Sequence, residues 1–227
     1  NTIISIYLHI GKSHMNLGNH EEGIEFHNKA LEHSLKINGE NSTITEEVIY
    51  ELAHIQQYLG EYDEAIKLFT RSYEIMKKLN GENNHETALR HLCIGNVYML
   101  QGKYSEALTF FKQGQEVILK TVGPEHLNNA TALVNIGMIA CVNGNFTEAL
   151  DLQNQALEIK KKLIGEDTED VAKIYQNIGF INEHQEKLQE SLKNYQKALE
   201  IYSKVEEQTK ADLDAQKASV HKALGTV

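Results

Sequence analysis

From Gly60 the chain reads GEYDEAIKLFTRSYEI, and Tyr62, Ala65, Ile66, Phe69, Ser72, Tyr73 and Met76 recur at i, i+3, i+4, i+7. That spacing draws one apolar and small-residue stripe along a helix. The block returns from Gly102 (GKYSEALTFFKQGQEV) and Gly144 (GNFTEALDLQNQALEI), and more weakly from Gly18 (GNHEEGIEFHNKALEH) and Glu186 (EKLQESLKNYQKALEI). Successive copies start 42 residues apart. A fixed period of this size marks a repeat array. Within it Glu22, Glu64, Glu106, Glu148 and Glu190 fall in the first helical turn, where a carboxylate meets the positive helix end. Ile24, Ile66, Leu108, Leu150 and Leu192 are expected to face the core, and Glu32, Glu74, Glu116, Glu158 and Glu200 the solvent.

Glycines punctuate the period in three series. Gly18, Gly60, Gly102 and Gly144 stand before each copy, where a tight turn joins two helices. Gly39, Gly81, Gly123 and Gly165 end each copy and are expected as left-handed caps. Gly11, Gly95, Gly137 and Gly179, with Ala53 in the matching place, fall mid-helix. A glycine there costs about 1 kcal/mol relative to Ala, so it should mark a close helix–helix approach.

Each unit therefore reads as helix A, short turn, helix B, capped loop. The A helices are expected at about Thr2–Leu17, Ile44–Leu59, Glu86–Gln101, Asn128–Val142 and Glu169–Gln185. The B helices are expected at about Glu21–Ile37, Tyr62–Leu79, Tyr104–Val122, Phe146–Ile164 and Leu188–Val205. The loops between units are short and polar, so successive helices are antiparallel neighbours. The array occupies 1–205, with repeats at about 1–39, 40–81, 82–123, 124–165 and 166–205. Residues 206–227 follow as a terminal capping helix or a truncated sixth repeat. The chain opens without Met inside a helical pattern and reads as a piece of a larger protein.

Composition narrows the partners. A net charge of −10 disfavours nucleic acid and anionic membrane, and suits a partner with basic flanks. No apolar run approaches the ~20 residues needed to span a bilayer. Cys93 and Cys141 read as free thiols in a reducing compartment, which places the chain in the cytoplasm.

The residues also carry a family likeness. A small residue in helix A, Gly before helix B, then an aromatic, an Ala and a second aromatic resembles the tetratricopeptide repeat. Here these are Gly95, Tyr98, Gly102, Tyr104, Ala107 and Phe111, or Ala53, Gly60, Tyr62, Ala65 and Phe69. The usual repeat has 34 residues; the longer copies here, with loops such as GPEH and GEDTED, look like the kinesin light chain and nephrocystin type. The resemblance implies an all-α fold, an α-solenoid of five antiparallel helix pairs in a right-handed superhelix. It also implies a concave groove lined by the A helices that binds peptides or helices.

On that groove the resemblance puts His54 and Tyr58; Asn96, Met99 and Leu100; Asn135, Met138 and Val142; and Lys173, Asn177, Phe180 and His184. Leu89, Leu92 and Cys93 are expected there too. Family members that grip chaperone C-termini use a five-residue clamp. Asn96, Asn135 and Lys173 match three of its positions, while Leu92 and Asn177 stand where it has Lys and Arg. Losing two cations removes most charge-assisted binding, so a chaperone adaptor is disfavoured.

Chemistry is sparse. None of the eleven histidines forms His-Glu-x-x-His, the helical spacing a zincin requires. No nucleophile elbow or phosphate loop occurs either. No catalysis, cofactor or metal is expected. The leading function is a protein–protein scaffold holding a partner's peptide or helical segment by apolar anchors. The alternative is a fixed subunit of a multi-subunit complex, such as a ciliary or cytoskeletal motor assembly. A third reading is the regulatory region of a larger enzyme or switch.

Overall fold

The computed structural model describes residues 1–224, with side chains described through Lys210. These residues form ten helices and no strand: α1 (Thr2–Asn16), α2 (His20–Asn38), α3 (Thr43–Tyr58), α4 (Tyr62–Asn80), α5 (His85–Leu100), α6 (Tyr104–Thr121), α7 (Leu127–Val142), α8 (Phe146–Ile164), α9 (Glu169–His184) and α10 (Leu188–Leu224). The fold is an all-α α-solenoid built from consecutive helix pairs. Odd-numbered helices are the A members and even-numbered helices the B members. They gather into two compact units, Asn1–Pro124 and a second from Glu125 onward.

One contact is repeated inside every pair. The small residue at the middle of helix A lies under a side chain sixteen positions later on helix B: Gly11 under His27, Gly95 under Phe111, Gly137 under Gln153 and Gly179 under Tyr195. A Cβ added at Gly95 would come 2.8 Å from the Phe111 ring, so the close approach needs glycine there. Ala53 and Phe69 make the equivalent contact within one buried cluster. Ala65, Ala107 and Ala149 are fully buried in the same seams.

Three of the four glycines expected as left-handed caps after helix B do not take that conformation, and left-handed residues close the turn between helices A and B instead. Between helices A and B, Gly60 has φ +82 and Glu61 N–H donates back to Gln56 O at 2.9 Å, closing a Schellman turn. The fifth copy closes the same turn with Glu186 at φ 59. Gly39, Gly81 and Gly165 also have positive φ, yet their ψ values are 177, 163 and 170, outside the left-handed helical region. The chain leaves helix B extended because it must deliver an extended N-cap three residues on. Ser42 and Thr168 then accept the Thr45 and Val171 backbone N–H groups, and Asn84 accepts those of Glu86 and Thr87.

At the C-terminal end α10 is one continuous helix past Val205. The capping role expected of 206–227 depends on side chains beyond Lys210, outside the described residues. Leu192, expected to face the core like Leu150, is instead exposed. Among the described residues, no helix is long and apolar enough to cross a membrane.

Candidate partner-binding surface

In the first unit, the A helices leave an open cleft of about 840 Å³ between α1 and α3. Lys12 and Asn16 come from α1, and Tyr50, Glu51, His54 and Tyr58 from α3. His27 of α2 closes its floor. The period explains the lining, since Lys12 and His54 share one repeat position and Asn16 and Tyr58 the next.

Lys12, Glu51, Tyr50, His54 and Tyr58 are each held by a neighbouring side chain. Lys12 donates to Glu51 Oε1 at 2.6 Å, and the buried His27 ring lies 3.6 Å from Glu51 Oε2. With His27 and Lys12 against it, the Glu51 carboxyl stays below the usual carboxylate range. Tyr50 stands edge-on to His54 at 4.5 Å, packs under the Arg90 guanidinium at 4.4 Å, and shares a hydrogen bond with Cys93 Sγ at 3.4 Å. Burial pushes the Tyr50 hydroxyl pKa up and, with Arg90 nearby, the His54 pKa down, so both stay neutral near pH 7. Tyr58 is 75% exposed, with its ring edge-on to His20. The cleft thus offers aromatic surface, a neutral imidazole and a carboxylate with a paired cation, without a nucleophile–base pair.

On α5, Asn96 and Met99 are half-buried and Leu100 is exposed. Leu92 and Cys93, expected on the groove, are buried in the core: Leu92 packs against Gly114 of α6, and Cys93 lies in one cluster with Ala65 and Phe69 of α4 and is hydrogen-bonded to Tyr50 of α3. Glu47, Glu51, Met15 and Ile55 line the cleft without having been singled out. A signal for Glu51 was present, because it occupies the repeat position of Asn135 and Asn177.

In the second unit, α7 carries half-buried Asn135 and Met138 and exposed Val142; α9 carries half-buried Asn177 and exposed Lys173, Phe180 and His184. Phe180 and His184 lie with ring centroids 4.1 Å apart, and His184 Nδ1 lies 3.0 Å from Phe180 O. Asn177 Nδ2 donates to buried Gln153 Oε1 at 3.4 Å, while Gln153 Nε2 donates to Val134 O at 2.9 Å. That chain fixes the Asn177 amide. Among the described residues, no group of three or more His, Cys, Asp or Glu is placed to hold a metal ion.

Solved structures share this architecture at low sequence identity. BtubC (BKLC) from P. vanneervenii superposes with a TM-score of 0.72 at 16% identity, over 89% of this chain and 80% of its own. A putative kinesin light chain with nearly identical TPR-like repeats from Podosopora anserina gives 0.69 at 17% identity, over 90% and 96%. A Rap protein complexed with Competence and Sporulation Factor gives 0.73 at 14% identity, covering 90% of this chain but 55% of its own length. No curated protein matches the sequence. A tetratricopeptide repeat model matches residues 2–78, 45–117, 85–162 and 129–204, in overlapping steps that cover both units. The chain belongs to the tetratricopeptide repeat family.

Proposed function

We propose that the protein is a non-catalytic scaffold that holds a segment of a partner protein in the cleft between α1 and α3. The observation that carries this reading is the cleft itself, about 840 Å³ of open space walled by Tyr50, His54 and Tyr58 beside the Lys12–Glu51 pair. Aromatic faces take an apolar anchor, and neighbouring polar groups fix its register. A net charge of −10 favours basic residues flanking that anchor. The α7 and α9 surface, with Met138, Val142, Lys173, Phe180 and His184, is a second contact area for the same class of ligand. A cytoplasmic setting belongs to the same proposal. The Rap protein bound to Competence and Sporulation Factor shares the fold, which supports a ligand-carrying role without naming the ligand here.

Selection from a random-peptide display library on the immobilised chain tests the proposal. Enriched peptides should pair an aromatic or aliphatic residue with Lys or Arg. Tyr58→Ala combined with His54→Ala should weaken them at least about tenfold, the loss of ~1.4 kcal/mol. Lys67→Glu, on the solvent face of α4, should leave them unchanged. Peptides indifferent to the cleft pair but lost on Lys67→Glu would move the site off the A helices.

A further inference from the structure

Three ionisable residues meet at the floor of the α1–α3 cleft: Lys12, His27 and Glu51. One period further along, the same three positions are His54, Phe69 and Cys93. They then become Asn96, Phe111 and Asn135, and after that Met138, Gln153 and Asn177. The helix pairs form without this trio in every later repeat, so packing does not account for it.

The hydrogen bonds of the ring show what the site lacks. His27 is fully buried, and its Nδ1 lies 2.7 Å from Gly23 O. A carbonyl cannot donate, so Nδ1 carries the proton and the neutral ring turns an acceptor, Nε2, to the cleft. The group it meets there is Glu51 Oε2 at 3.6 Å, which is another acceptor. Neither atom has a hydrogen-bond partner. Buried polar atoms are nearly always paired, and two acceptors that face each other call for one donor that serves both. Where the same two positions are Gln153 and Asn177, the amides satisfy each other, Asn177 Nδ2 donating to Gln153 Oε1 at 3.4 Å.

The chain itself displays a donor of the required kind. Lys12 Nζ sits on the other oxygen, Glu51 Oε1, at 2.6 Å, and its side chain is 58% exposed. An exposed ion pair holds weakly, so Lys12 exchanges for a second ammonium at little cost. We infer that the cleft floor is a subsite for a primary ammonium of the bound segment, a lysine side chain or a free N-terminal amine, which takes Glu51 and His27 Nε2 and displaces Lys12. The inference rests on the proposal that this cleft holds a partner segment. An ammonium carries three donors on one nitrogen and reaches acceptors of two different residues. The planar guanidinium fork instead matches the two oxygens of a single carboxylate, which leaves Nε2 unserved. Glu47 lines the same cleft and adds a second carboxylate on the ligand's side.

Two measurements at about pH 8, where an ordinary imidazole is neutral, test the subsite apart from the scaffold reading. First, the Lys12→Ala chain is titrated with n-propylammonium to about 100 mM, which reaches millimolar affinities, while the nitrogen-15 shift of His27 Nε2 is followed. The shift should move saturably. Tetramethylammonium, with the same charge and no N–H to donate, should leave it unchanged, and Glu51→Gln in the same background should abolish the response. No saturable shift, or an equal one with tetramethylammonium, overturns the inference whatever peptides bind. Second, a library-selected peptide that Tyr58→Ala with His54→Ala weakens is remade with norleucine for lysine, with arginine for lysine, and with an acetylated N-terminus. Either norleucine or acetylation should cost at least about tenfold in affinity, which identifies the source of the ammonium, and arginine should not restore a lysine loss. His27→Phe, which copies Phe69 and Phe111, should weaken the parent peptide by about as much, while Lys12→Ala should tighten it about threefold or more. A peptide indifferent to both norleucine and acetylation, or weakened by Lys12→Ala, overturns the subsite and leaves the scaffold reading standing. A saturable propylammonium shift with no selectable peptide overturns the scaffold reading alone.

Discussion

Arg90 is the perturbation with the largest expected effect on the fold. Its side chain is 11% exposed, Glu46's is 5%, and Ser72 is buried with them. Arg90 Nη2 and Nε donate to Glu46 Oε1 at 2.5 and 3.0 Å, and Ser72 Oγ donates to the same oxygen at 2.5 Å. Arg90→Ile leaves the carboxylate buried with only the serine as a donor, which costs about 3–5 kcal/mol. Glu46→Ala should cost somewhat less, since Arg90 retains Glu86 O at 3.2 Å and the Tyr50 ring face. The other repeats supply the apolar alternative: Ala88, Ala130 and Ala172 at the Glu46 position, Ala30 and Ala156 at the Ser72 position, Val48 and Ile174 at the Arg90 position. The triple variant Glu46→Ala, Ser72→Ala, Arg90→Ile should therefore return to within about 1 kcal/mol of wild type, or exceed it. Urea unfolding followed by circular dichroism measures each free energy from its midpoint and slope. If Arg90→Ile is as damaging in the Glu46→Ala background as in the wild type, the buried pair is not what the arginine serves.

Three further predictions use the same assay. Glu186 holds the left-handed turn that glycine holds in the other four copies, so Glu186→Gly should stabilise by about 0.5–1 kcal/mol; a loss would show the Glu186 side chain contributes more than its backbone strain removes. Ala107 is fully buried between α5 and α6, so Ala107→Leu should overpack the seam and cost about 1–3 kcal/mol, and an unchanged unfolding free energy would refute the pairing. Burial holds the His91 pKa below the ordinary imidazole value of about 6.5, so unfolding takes up a proton at mildly acidic pH. Stability should accordingly fall as pH drops from about 6.5 toward the lower folded value, and His91→Leu, which copies Leu133, should flatten that slope; an equally steep variant would place the proton uptake elsewhere.

The period carried most of the fold, because each repeat meets its neighbours in one way and a residue's place can be read from its siblings. Gly95 under Phe111, and His27 and Gln153 in an aromatic's position, follow from that arithmetic. What escaped it is set by local departures. Leu92 and Cys93 are expected on the groove, yet α6 packs on the first and α4 with α3 on the second. Glycine alone predicts a left-handed exit from the B helices, although at α2, α4 and α8 the distance to the next N-cap requires an extended ψ. Glu46 and Arg90 stand at positions that are apolar elsewhere, and only coordinates show that they find each other. The site was legible as a face. His54 and Tyr58 were placed on it by repeat position, while the Lys12–Glu51 pair depends on how far two side chains reach across the cleft.

The most direct test of the scaffold reading is site-specific photo-crosslinking. Benzoylphenylalanine is placed at Tyr58 in one chain and at Lys67 in another, and each is irradiated with a peptide selected on the wild-type protein. The account predicts a covalent adduct at Tyr58, in the α1–α3 cleft, and none at Lys67. Adducts at Lys67 with none at Tyr58 would contradict it.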